Sequence, residues 1–324
     1  MDTQPLISIA LCTYNGRRNL KPQLDSLLTQ TYTQIEIVAC DDASSDDTFE
    51  ILTQYAQRDA RLRCRRNPHN LGFSGNFEQA IRLCRGELIA LCDQDDIWLP
   101  QKLEVLLEAL NRREAVMVYC NSGLIDADGR AFGRRLDGSV ARRDIDHPAP
   151  FVFDNPCSGH ATLYRRAVVE RALPFPEGTF HDWWLAFAAA SLGPVAYVDE
   201  CLVQHRRHQD SVTFCIDHAP ADRRPGFRAR ELEVTEQRVA QFAAFASPWQ
   251  DFFRQLLALW RARKNDILSL RLAAFMVRHR QRLFAFSSDG GALRLRLALK
   301  FVWGLSMKRW LEPHRYHIED TTRD

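Results

Sequence analysis

The first third of the chain alternates between short apolar runs and stretches in which apolar residues recur at helical spacing. Leu6–Cys12, Gln34–Cys40 and Leu88–Cys92 have the length and composition of buried strands. A helical pattern such as that of Leu20–Leu28 separates consecutive strands. This alternation predicts an α/β fold, in which right-handed βαβ units form a mostly parallel central sheet flanked by helices.

Polar residues stand where each predicted strand ends. Thr13–Asn15 follow the first strand, Asp41–Asp42 end the second, and Asp93–Asp96 follow the strand Leu88–Cys92. A fourth cluster, His181–Trp184, opens an apolar helix. Open α/β sheets bind their ligands at the carboxyl ends of the strands. We therefore expect these clusters to converge on one site.

The segment Asp93-Gln94-Asp95-Asp96 is the most informative of the four clusters. Its carboxylates repel one another and need a cation to remain ionised at close range. Hard oxygen ligands on a short loop suit Mg²⁺ or Mn²⁺, which keep coordination positions open for substrate phosphates. The sequence therefore predicts a divalent-cation site directly after a buried strand.

Net charge and the turn after the first strand disfavour several other classes of protein. The chain is 46% hydrophobic and 26% charged, with a net charge of only +2, so no global field indicates nucleic acid as a partner. A dinucleotide-binding Rossmann domain is disfavoured because the turn after the first strand, Cys12–Arg17, carries one glycine rather than G-x-G-x-x-G. Nucleotidyltransferases need a glycine- and basic-rich triphosphate loop, which Thr13–Gly16 does not supply.

The cysteines and the apolar runs indicate a cytoplasmic protein. The nine cysteines include no C-x-x-C pair, and several lie within strand-like runs, as expected of small buried side chains in a reducing compartment. The amino terminus lacks the features of a signal peptide. The longest uncharged run, between Asp182 and Asp199, is interrupted by Gly193–Pro194 and is too short to span a membrane.

Taken together, the motifs resemble those of the family-two glycosyltransferases with a GT-A fold, in particular rhamnosyltransferase-like members of bacterial surface-polysaccharide pathways. The resemblance covers roughly residues 5–215. The segments that carry it are Ser8–Asn15, Gln30–Tyr32, Asp41–Thr48, Asn70–Gly72, Gly86–Ile89, Asp93–Pro100, Leu173–Gly178, His181–Trp184 and His205–His208.

The resemblance implies a role for each cluster in an inverting, metal-dependent transfer of a sugar from a dTDP- or UDP-sugar. Asp42 would bind the pyrimidine, Asp93 the ribose, and Asp95 the metal on the donor pyrophosphate. Asp182 would be the general base that deprotonates the acceptor hydroxyl. The donor pocket would also include Thr13, Tyr14, Asn15 and Asn70, although a loop asparagine commonly closes a turn.

Several neighbouring residues are further candidates. His208 would contact the metal or the pyrophosphate, with a surface histidine in a charged loop as the alternative. Arg206 and Arg207 are candidates for phosphate contacts. Asp96 would assist or orient the site, or simply begin a helix before Trp98. The alternative for Asp182 is the N-cap of the helix Trp183–Ala190, a role that is compatible with that of the base. His160 lies where an acceptor would enter, and structural packing is its expected role.

Beyond the motifs, the pattern changes from strands to helices. We expect a catalytic domain over 1–215, with a donor half of about 1–100 and an acceptor half of about 101–215, and a helical region over 216–324. Residues 126–150 show little periodicity and are expected to form a loop. Between Arg254 and Leu311, thirteen lysines and arginines interleave with aromatic residues against two aspartates.

Such cationic, aromatic-bearing helices suit either an anionic membrane surface or packing against the catalytic domain. The first alternative would place the enzyme peripherally on the inner face of the plasma membrane, near an acceptor glycan carried on a polyprenyl lipid. A catalytically inactive GT-A-like scaffold at the membrane is the rival function. It is disfavoured because Asp42, Asp93, Asp95 and Asp182 are all present.

Overall fold

The computed structural model of the protein describes residues 4–136, 140–207, 227–287, 291–304 and 306–307. The chain divides into two compact units. The first comprises the described parts of 1–138, 142–146 and 155–208, and the second the described parts of 139–141, 147–154 and 209–324. The predicted domain boundary at 215–216 lies outside the described residues.

The first unit is a nine-stranded sheet with helices on it. Its strands are β1 Ile7–Thr13, β2 Ile35–Asp41, β3 Leu62–Arg66, β4 Leu88–Cys92, β5 Ile97–Trp98, β6 Met117–Ile125, β7 Ala131–Arg135, β8 Thr162–Arg165 and β9 Val195–Arg206. Its α-helices are α1 Leu20–Leu28, α2 Thr48–Arg58, α3 Gly72–Leu83, α4 Lys102–Arg112, α5 Arg166–Ala172 and α6 His181–Leu192.

The sheet is mixed, which refines the sequence prediction. Its order is β3-β2-β1-β4-β8-β6-β9-β5, with β7 paired to β6. The β3-β2-β1-β4 half is parallel, as is the β6–β9 pair. The other pairs, β4–β8, β6–β8, β5–β9 and β6–β7, are antiparallel. The predicted α/β fold class is confirmed.

Parallel pairing aligns the polar strand ends. Every residue of β1 and of β2 is buried, as expected of central parallel strands covered on both faces. In the β1–β2 ladder Thr13 lies opposite Asp41, and in the β1–β4 ladder Leu11 lies opposite Cys92. The residues that follow these strands therefore emerge at the same edge of the sheet.

The segment 126–150, expected to be a loop, is partly a strand. Residues Ala131–Arg135 form β7 on the edge of β6, with all five residues exposed. Exposed edge strands give little apolar periodicity, which explains why the pattern did not reveal it. Further along, the Tyr119 hydroxyl donates to the Arg143 carbonyl at 2.8 Å, and Ile145 bridges to Val195.

The second unit is helical. Its helices are α7 Phe227–Ala244, α8 Gln250–Ala262, α9 Leu270–Arg278, α10 Arg280–Leu283 and α11 Gly291–Leu299. Aromatic side chains dominate its core, where Phe242 packs edge-on against Phe253 with ring centroids 5.3 Å apart. Arg263 is almost completely buried beneath the rings of Trp260 and Phe301 and donates to the Trp303 carbonyl.

Within the described part of the chain, no helix is both long enough and apolar enough to cross a bilayer.

A glycine at the opposite edge of the sheet has a steric role. A Cβ atom on Gly86 would lie 2.5 Å from the Leu6 carbonyl oxygen and 2.7 Å from the Ser8 nitrogen. The Gly86 N–H donates to the buried Ser8 hydroxyl at 2.7 Å, and that hydroxyl donates to Glu36 at 2.6 Å. The close approach of the chain before β4 to β1 therefore depends on the absence of a side chain.

We expect Gly86→Ala to lower the free energy of unfolding by about 1–3 kcal/mol, since the added methyl group meets backbone atoms that have little room to move. Urea unfolding followed by circular dichroism would measure this. Gly123→Ala is the matched control, because the nearest atom to its added Cβ is 4.0 Å away. Equal stability of the two variants would contradict the steric argument.

Candidate active site

The ends of β1 and β2 are joined by side-chain hydrogen bonds. The Thr13 hydroxyl donates to Asp41 Oδ1 at 3.1 Å, and both residues are buried. Asn15, with a left-handed φ of 49°, accepts a hydrogen bond from the Ser45 N–H at 2.8 Å, while its own N–H donates to Ser44 Oγ at 2.9 Å. Of the predicted donor residues, Thr13 and Asn15 thus shape the loops themselves.

Gln94 connects this loop to the acidic segment. Its Oε1 accepts from the Tyr14 N–H at 2.8 Å, and its Nε2 donates to the Tyr14 carbonyl at 3.0 Å. A Cβ on Gly16 would lie 2.1 Å from Gln94 Oε1, so a side chain there would displace the Gln94 amide from Tyr14. The Tyr14 residue, 49% exposed, is held by its backbone while its ring remains accessible to a ligand.

Asp42 is buried, and two hydrogen-bond donors orient its carboxylate. Its Oδ1 accepts from Asn67 Nδ2 at 2.9 Å and from the Leu71 N–H at 2.8 Å. Asn70, a predicted donor residue, is exposed and accepts a hydrogen bond from the Gly72 N–H at 2.9 Å, which closes the turn before α3. Asn67 Nδ2 also donates to Asn76 Oδ1 at 2.9 Å.

Asp96 is a buried hub, and the alternative that it begins a helix is wrong. It precedes β5, and α4 does not begin until Lys102. Its Oδ1 accepts from the Arg206 N–H at 3.0 Å and lies 3.0 Å from His205 Nδ1. Burial alone would raise the pKa of Asp96, but the charges of His160 and His205 and these hydrogen bonds outweigh it and hold that pKa well below its usual range.

His160 connects the acidic segment to the residues before β8. Its Nδ1 lies 3.5 Å from Asp96 Oδ2 and 3.7 Å from Asp93 Oδ2, and its Nε2 is 2.9 Å from Ser122 Oγ. Its ring stacks on that of His205 with centroids 4.5 Å apart and planes 10° apart. Burial lowers the pKa of His205, but the Asp96 charge and hydrogen bond outweigh this and raise it to about 9.

Asp96, His160 and His205 form a group that could hold a metal ion, with ligand atoms within 4.8 Å of one another. Imidazole nitrogens coordinate with lone pairs in the ring plane, at about 2.0–2.1 Å for zinc. Two stacked, nearly parallel rings cannot both place one ion in their planes. In this conformation His205 hydrogen-bonds Asp96 Oδ1, while the buried Asp96 Oδ2 has no hydrogen-bond partner among the described residues and has His160 Nδ1 3.5 Å away.

Asp93, predicted to bind the ribose, and Asp95, predicted to bind the metal, precede this hub in the acidic segment. The Asp93 side chain is 42% exposed, and the Asp95 carbonyl accepts from Arg206 Nε at 2.8 Å. Arg206 also donates to the carbonyls of Asp126 and Ala127 at 3.1 Å, so it braces the loop. The Arg207 N–H donates to the Ile125 carbonyl at 3.0 Å. His208, the other predicted metal ligand, lies outside the described residues.

Asp182 lies in the first turn of α6, two residues after the N-cap, Phe180. Its Oδ1 accepts from the Trp183 N–H at 2.7 Å, but it is not the N-cap residue expected from sequence. Burial raises the pKa of Asp182 above its usual value, and the charge of Asp93 raises it further. A carboxyl group with a raised pKa beside a partly exposed carboxylate is typical of catalytic sites.

The residues between β7 and β8 place Asp182 beside the hub. A Cβ on Gly159 would lie 3.3 Å from Asp182 Cβ and 3.7 Å from Leu91 Cδ1. The next residue is His160, whose carbonyl accepts a hydrogen bond from the buried Lys102 ammonium at 2.6 Å. Asp42, Asp93 and Asp182 are therefore positioned by one edge of the sheet and by the segment that packs on it.

Three contributors were missed at the sequence level. His205 and Gln94 were noted only as parts of motifs, and Lys102 was not singled out. The antiparallel pairing of Ile97 in β5 with Gln204 in β9 brings His205 to Asp96. That pairing depends on tertiary structure, and the local sequence signal was limited to a histidine in a strand-like run.

Sequence comparison identifies the family. Residues 8–173 match the family model for glycosyl transferase family 2. The chain belongs to glycosyl transferase family 2. The members it resembles include an uncharacterized glycosyltransferase of Nostoc sp., 27% identical over 245 residues, which are 73% of this chain and 75% of the relative.

A second relative has a more specific name. The Escherichia coli UDP-Glc:alpha-D-GlcNAc-diphosphoundecaprenol beta-1,3-glucosyltransferase WfaP is 33% identical over 116 residues, which are 36% of this family member and 45% of the relative. The match is therefore confined to part of each chain.

Solved structures share the fold of this family 2 protein. S. aureus TarS 1-349 in complex with UDP-GlcNAc superposes with a TM-score of 0.59 over 98% of this chain and 95% of that one, at 16% identity. The mannosyltransferase PcManGT from Pyrobaculum calidifontis, in complex with GDP-Man and Mn2+, gives a TM-score of 0.53 over 97% and 83% of the two chains, at 17% identity.

The raised pKa of His205 predicts that stability falls as the solution becomes alkaline. Its pKa rises from 6.5 to about 9 in the fold, so its contribution is fully present below pH 6.5 and is lost as pH rises through 9. We expect the free energy of unfolding to decrease by about 1–3 kcal/mol across this window. Urea unfolding at intervals between pH 6 and 10 would measure it.

His205→Gln should flatten this dependence, whereas His69→Gln, at an exposed loop position, should leave it unchanged. An unaltered slope in His205→Gln would contradict the assignment of the raised pKa to the Asp96 contact.

Proposed function

We propose that this family 2 protein is an inverting, metal-dependent glycosyltransferase that moves a sugar from a nucleoside-diphosphate sugar to a hydroxyl of a glycan acceptor. The observation that supports it best is the convergence of Asp42, Asp93 and Asp182 at one sheet edge, with Asp182 carrying a raised pKa. A glycosyltransferase must bind a nucleotide, hold its diphosphate and deprotonate an acceptor, and the groups for these three tasks must lie at one place.

The donor nucleotide would lie along the ends of β1, β2 and β4. Two donors fix Asp42 through Oδ1, which leaves Oδ2 as the oxygen for the pyrimidine imide. Asp93 would accept hydrogen bonds from the ribose hydroxyls, and the exposed Tyr14 ring would pack beside the nucleotide. The TarS complex with UDP-GlcNAc supports a uridine donor.

The chemistry of the donor set is compatible with a divalent cation. Asp93, whose side chain is 42% exposed, and Asp95 both carry hard carboxylate oxygens, and Mg²⁺ or Mn²⁺ favours such ligands together with phosphate oxygens. Asp95 would hold the ion, with His208 as its proposed second ligand. When bound, it would neutralise negative charge on the departing nucleoside diphosphate. The PcManGT complex with Mn2+ supports this assignment.

Asp182 would act as the general base. The acceptor oxygen would attack the anomeric carbon, the bond to the nucleoside diphosphate would break, and the hydroxyl proton would pass to Asp182. The raised pKa suits this role, since it makes the carboxylate a stronger base towards the acceptor proton. Attack on the face opposite the leaving group inverts the anomeric centre.

The proposed donor and acceptor are given as chemical classes. We infer a hexose or deoxyhexose donor, dTDP-rhamnose or a UDP-sugar, used in surface-polysaccharide biosynthesis. The WfaP name, with its UDP-Glc donor and diphosphoundecaprenol acceptor, supports a uridine donor and a polyprenyl-linked acceptor. The fold-level match to the GDP-Man complex keeps guanosine donors within the set to be tested.

We also propose that the helical unit contacts an anionic membrane surface. Ile267, Leu268 and Leu270 are 60%, 48% and 62% exposed, and Trp303, which bridges to Leu268, is 46% exposed. Arg271, Arg296 and Lys300 are exposed cations of the same helical unit. Exposed apolar side chains in a unit that also exposes cations suit an interface with anionic lipids. This contact would keep the enzyme at the inner face of the plasma membrane.

The donor and base assignments are tested by two variants. Asp182→Asn should keep metal-dependent nucleotide binding while transfer falls by roughly two to four orders of magnitude. Asp95→Ala should lose the metal-dependent part of binding. Calorimetric titration of UDP, dTDP and GDP, with Mn²⁺ or Mg²⁺ and then EDTA, measures binding, and release of nucleoside diphosphate from the matching donor measures turnover.

Asp199→Asn is the control, because that carboxylate is 71% exposed and pairs with Arg135 on the sheet edge. Absence of nucleotide binding in the folded wild-type protein would refute the donor site and favour the scaffold alternative. Loss of nucleotide affinity in Asp182→Asn would place Asp182 on the donor side instead.

The membrane contact predicts binding to phosphatidylcholine vesicles that contain about one-third phosphatidylglycerol, and release at 0.5 M NaCl, since salt screens the cations. The double variant Ile267→Ser, Leu270→Ser should reduce co-sedimentation several-fold. Val234→Ser, at a position 53% exposed on α7, is the control. Vesicle binding that is equal in all three proteins would rule out this patch as the contact.

A further inference from the structure

A cleft of about 410 Å³ lies between the start of α3 and the loop before α6. Its walls include Phe73, Glu78, Phe175, Pro176, Glu177 and Phe180. Asp182 and the strand-end residues of the candidate active site do not line it. It is therefore a separate surface beside that site.

Two solvent-exposed phenylalanines that line this cleft stack on each other. The ring centroids of Phe73 and Phe180 are 5.4 Å apart and the planes differ by 21°. The two residues are 46% and 41% exposed. Leaving part of two phenyl rings in water forgoes burial that is worth about 1.5–3 kcal/mol for each complete side chain. An exposed aromatic pair in a concave surface is characteristic of a ligand site.

The cleft neighbours the helix turn that carries the proposed base. Phe180 is the N-cap of α6, and Asp182 follows in its first turn. Between them, the His181 ring lies 6.0 Å from that of Phe73 and stacks on Phe77 at 4.0 Å. This row of rings connects the cleft to the helix turn that carries Asp182. A molecule in the cleft therefore lies beside the helix turn that carries the proposed base.

Charge selects the kind of molecule. Glu78 and Glu177 line the cleft, and none of the described lining residues is a lysine or arginine. Arg82, outside the lining, pairs with Glu78 Oε1 at 2.7 Å, and the Phe175 N–H donates to Glu78 Oε2 at 2.8 Å. Such a surface disfavours the phosphates of a nucleotide or a lipid diphosphate. It also disfavours a polyprenyl chain, which would desolvate the carboxylates without replacing their hydrogen bonds. A neutral sugar ring presents C–H groups to an aromatic face and donates its hydroxyl protons to carboxylate and carbonyl oxygens.

We propose that the Phe73–Phe180 cleft binds a sugar ring of the acceptor glycan, next to the ring whose hydroxyl is glycosylated. We place this ring next to the glycosylated ring because Asp182 does not line the cleft. A ring in the cleft therefore cannot also present its hydroxyl to Asp182. The inference rests on the proposed transferase function and extends it: acceptors of two or more sugars bind better than single sugars.

The test begins with binding, because it needs no known acceptor. Saturation-transfer NMR is recorded with the methyl glycosides of glucose, galactose, mannose, N-acetylglucosamine and rhamnose, each with the full-length protein and UDP. We expect a saturation-transfer signal for at least one glycoside, and we expect that signal to fall five-fold or more in Phe73→Ala and in Phe180→Ala. Phe73→Trp should retain it, because a larger ring preserves the stacking surface.

Phe132→Ala is the matched control, since Phe132 is a 51% exposed phenylalanine on β7, away from the cleft. No glycoside signal in the wild type, or equal signals in the wild type, Phe73→Ala and Phe180→Ala, would overturn the proposal. Once an acceptor is found, Phe73→Ala should raise the KM for a disaccharide acceptor at least five-fold while leaving the KM for the donor unchanged.

Calorimetric titration of UDP with each variant separates this inference from the function on which it rests. UDP binding that is intact in every variant, with no glycoside effect, refutes the cleft alone. A glycoside signal that depends on Phe73 and Phe180, without binding of UDP, dTDP or GDP, refutes the transferase and leaves a sugar-binding cleft.

Discussion

The buried carboxylate of Asp96 is the interaction on which the candidate site depends. Placing a charge where no water reaches it costs several kcal/mol unless partners replace its hydration. Here His205 and the Arg206 N–H supply those partners on Oδ1, and His160 lies beside Oδ2. Because these groups come from β9 and from the segment before β8, the carboxylate fixes three parts of the chain at once.

The consequence is a site with a rigid inner side and an accessible outer side. On the inner side, Arg206 holds the Asp95 carbonyl, and Gln94 holds both backbone polar groups of Tyr14. On the outer side, the Asp93 carboxylate and the Tyr14 ring remain exposed. Fixed backbone with exposed functional groups is the preorganisation that binding and electrostatic catalysis require, since little ordering remains to be done when a ligand arrives.

The extent to which sequence predicted this arrangement follows from which interactions are local. The strands Ile7–Thr13, Ile35–Asp41 and Leu88–Cys92 were recognisable because buried parallel strands are continuous apolar runs. Their polar ends then had to meet at one edge. Sequence alone does not separate a helix-start role of Asp96 from a role in orienting the site, because its partners, His160 and His205, are brought to it by pairings in the antiparallel half of the sheet. Such pairings leave no periodic signal in the sequence.

The two acidic residues beside the hub show why environment, rather than residue type, assigns chemical roles. Asp93 is substantially exposed, whereas burial raises the pKa of Asp182, with a further contribution from the Asp93 charge. The exposed carboxylate keeps its hydration and remains available to a ligand. Burial of the other favours its protonated form and so suits it to receive a proton.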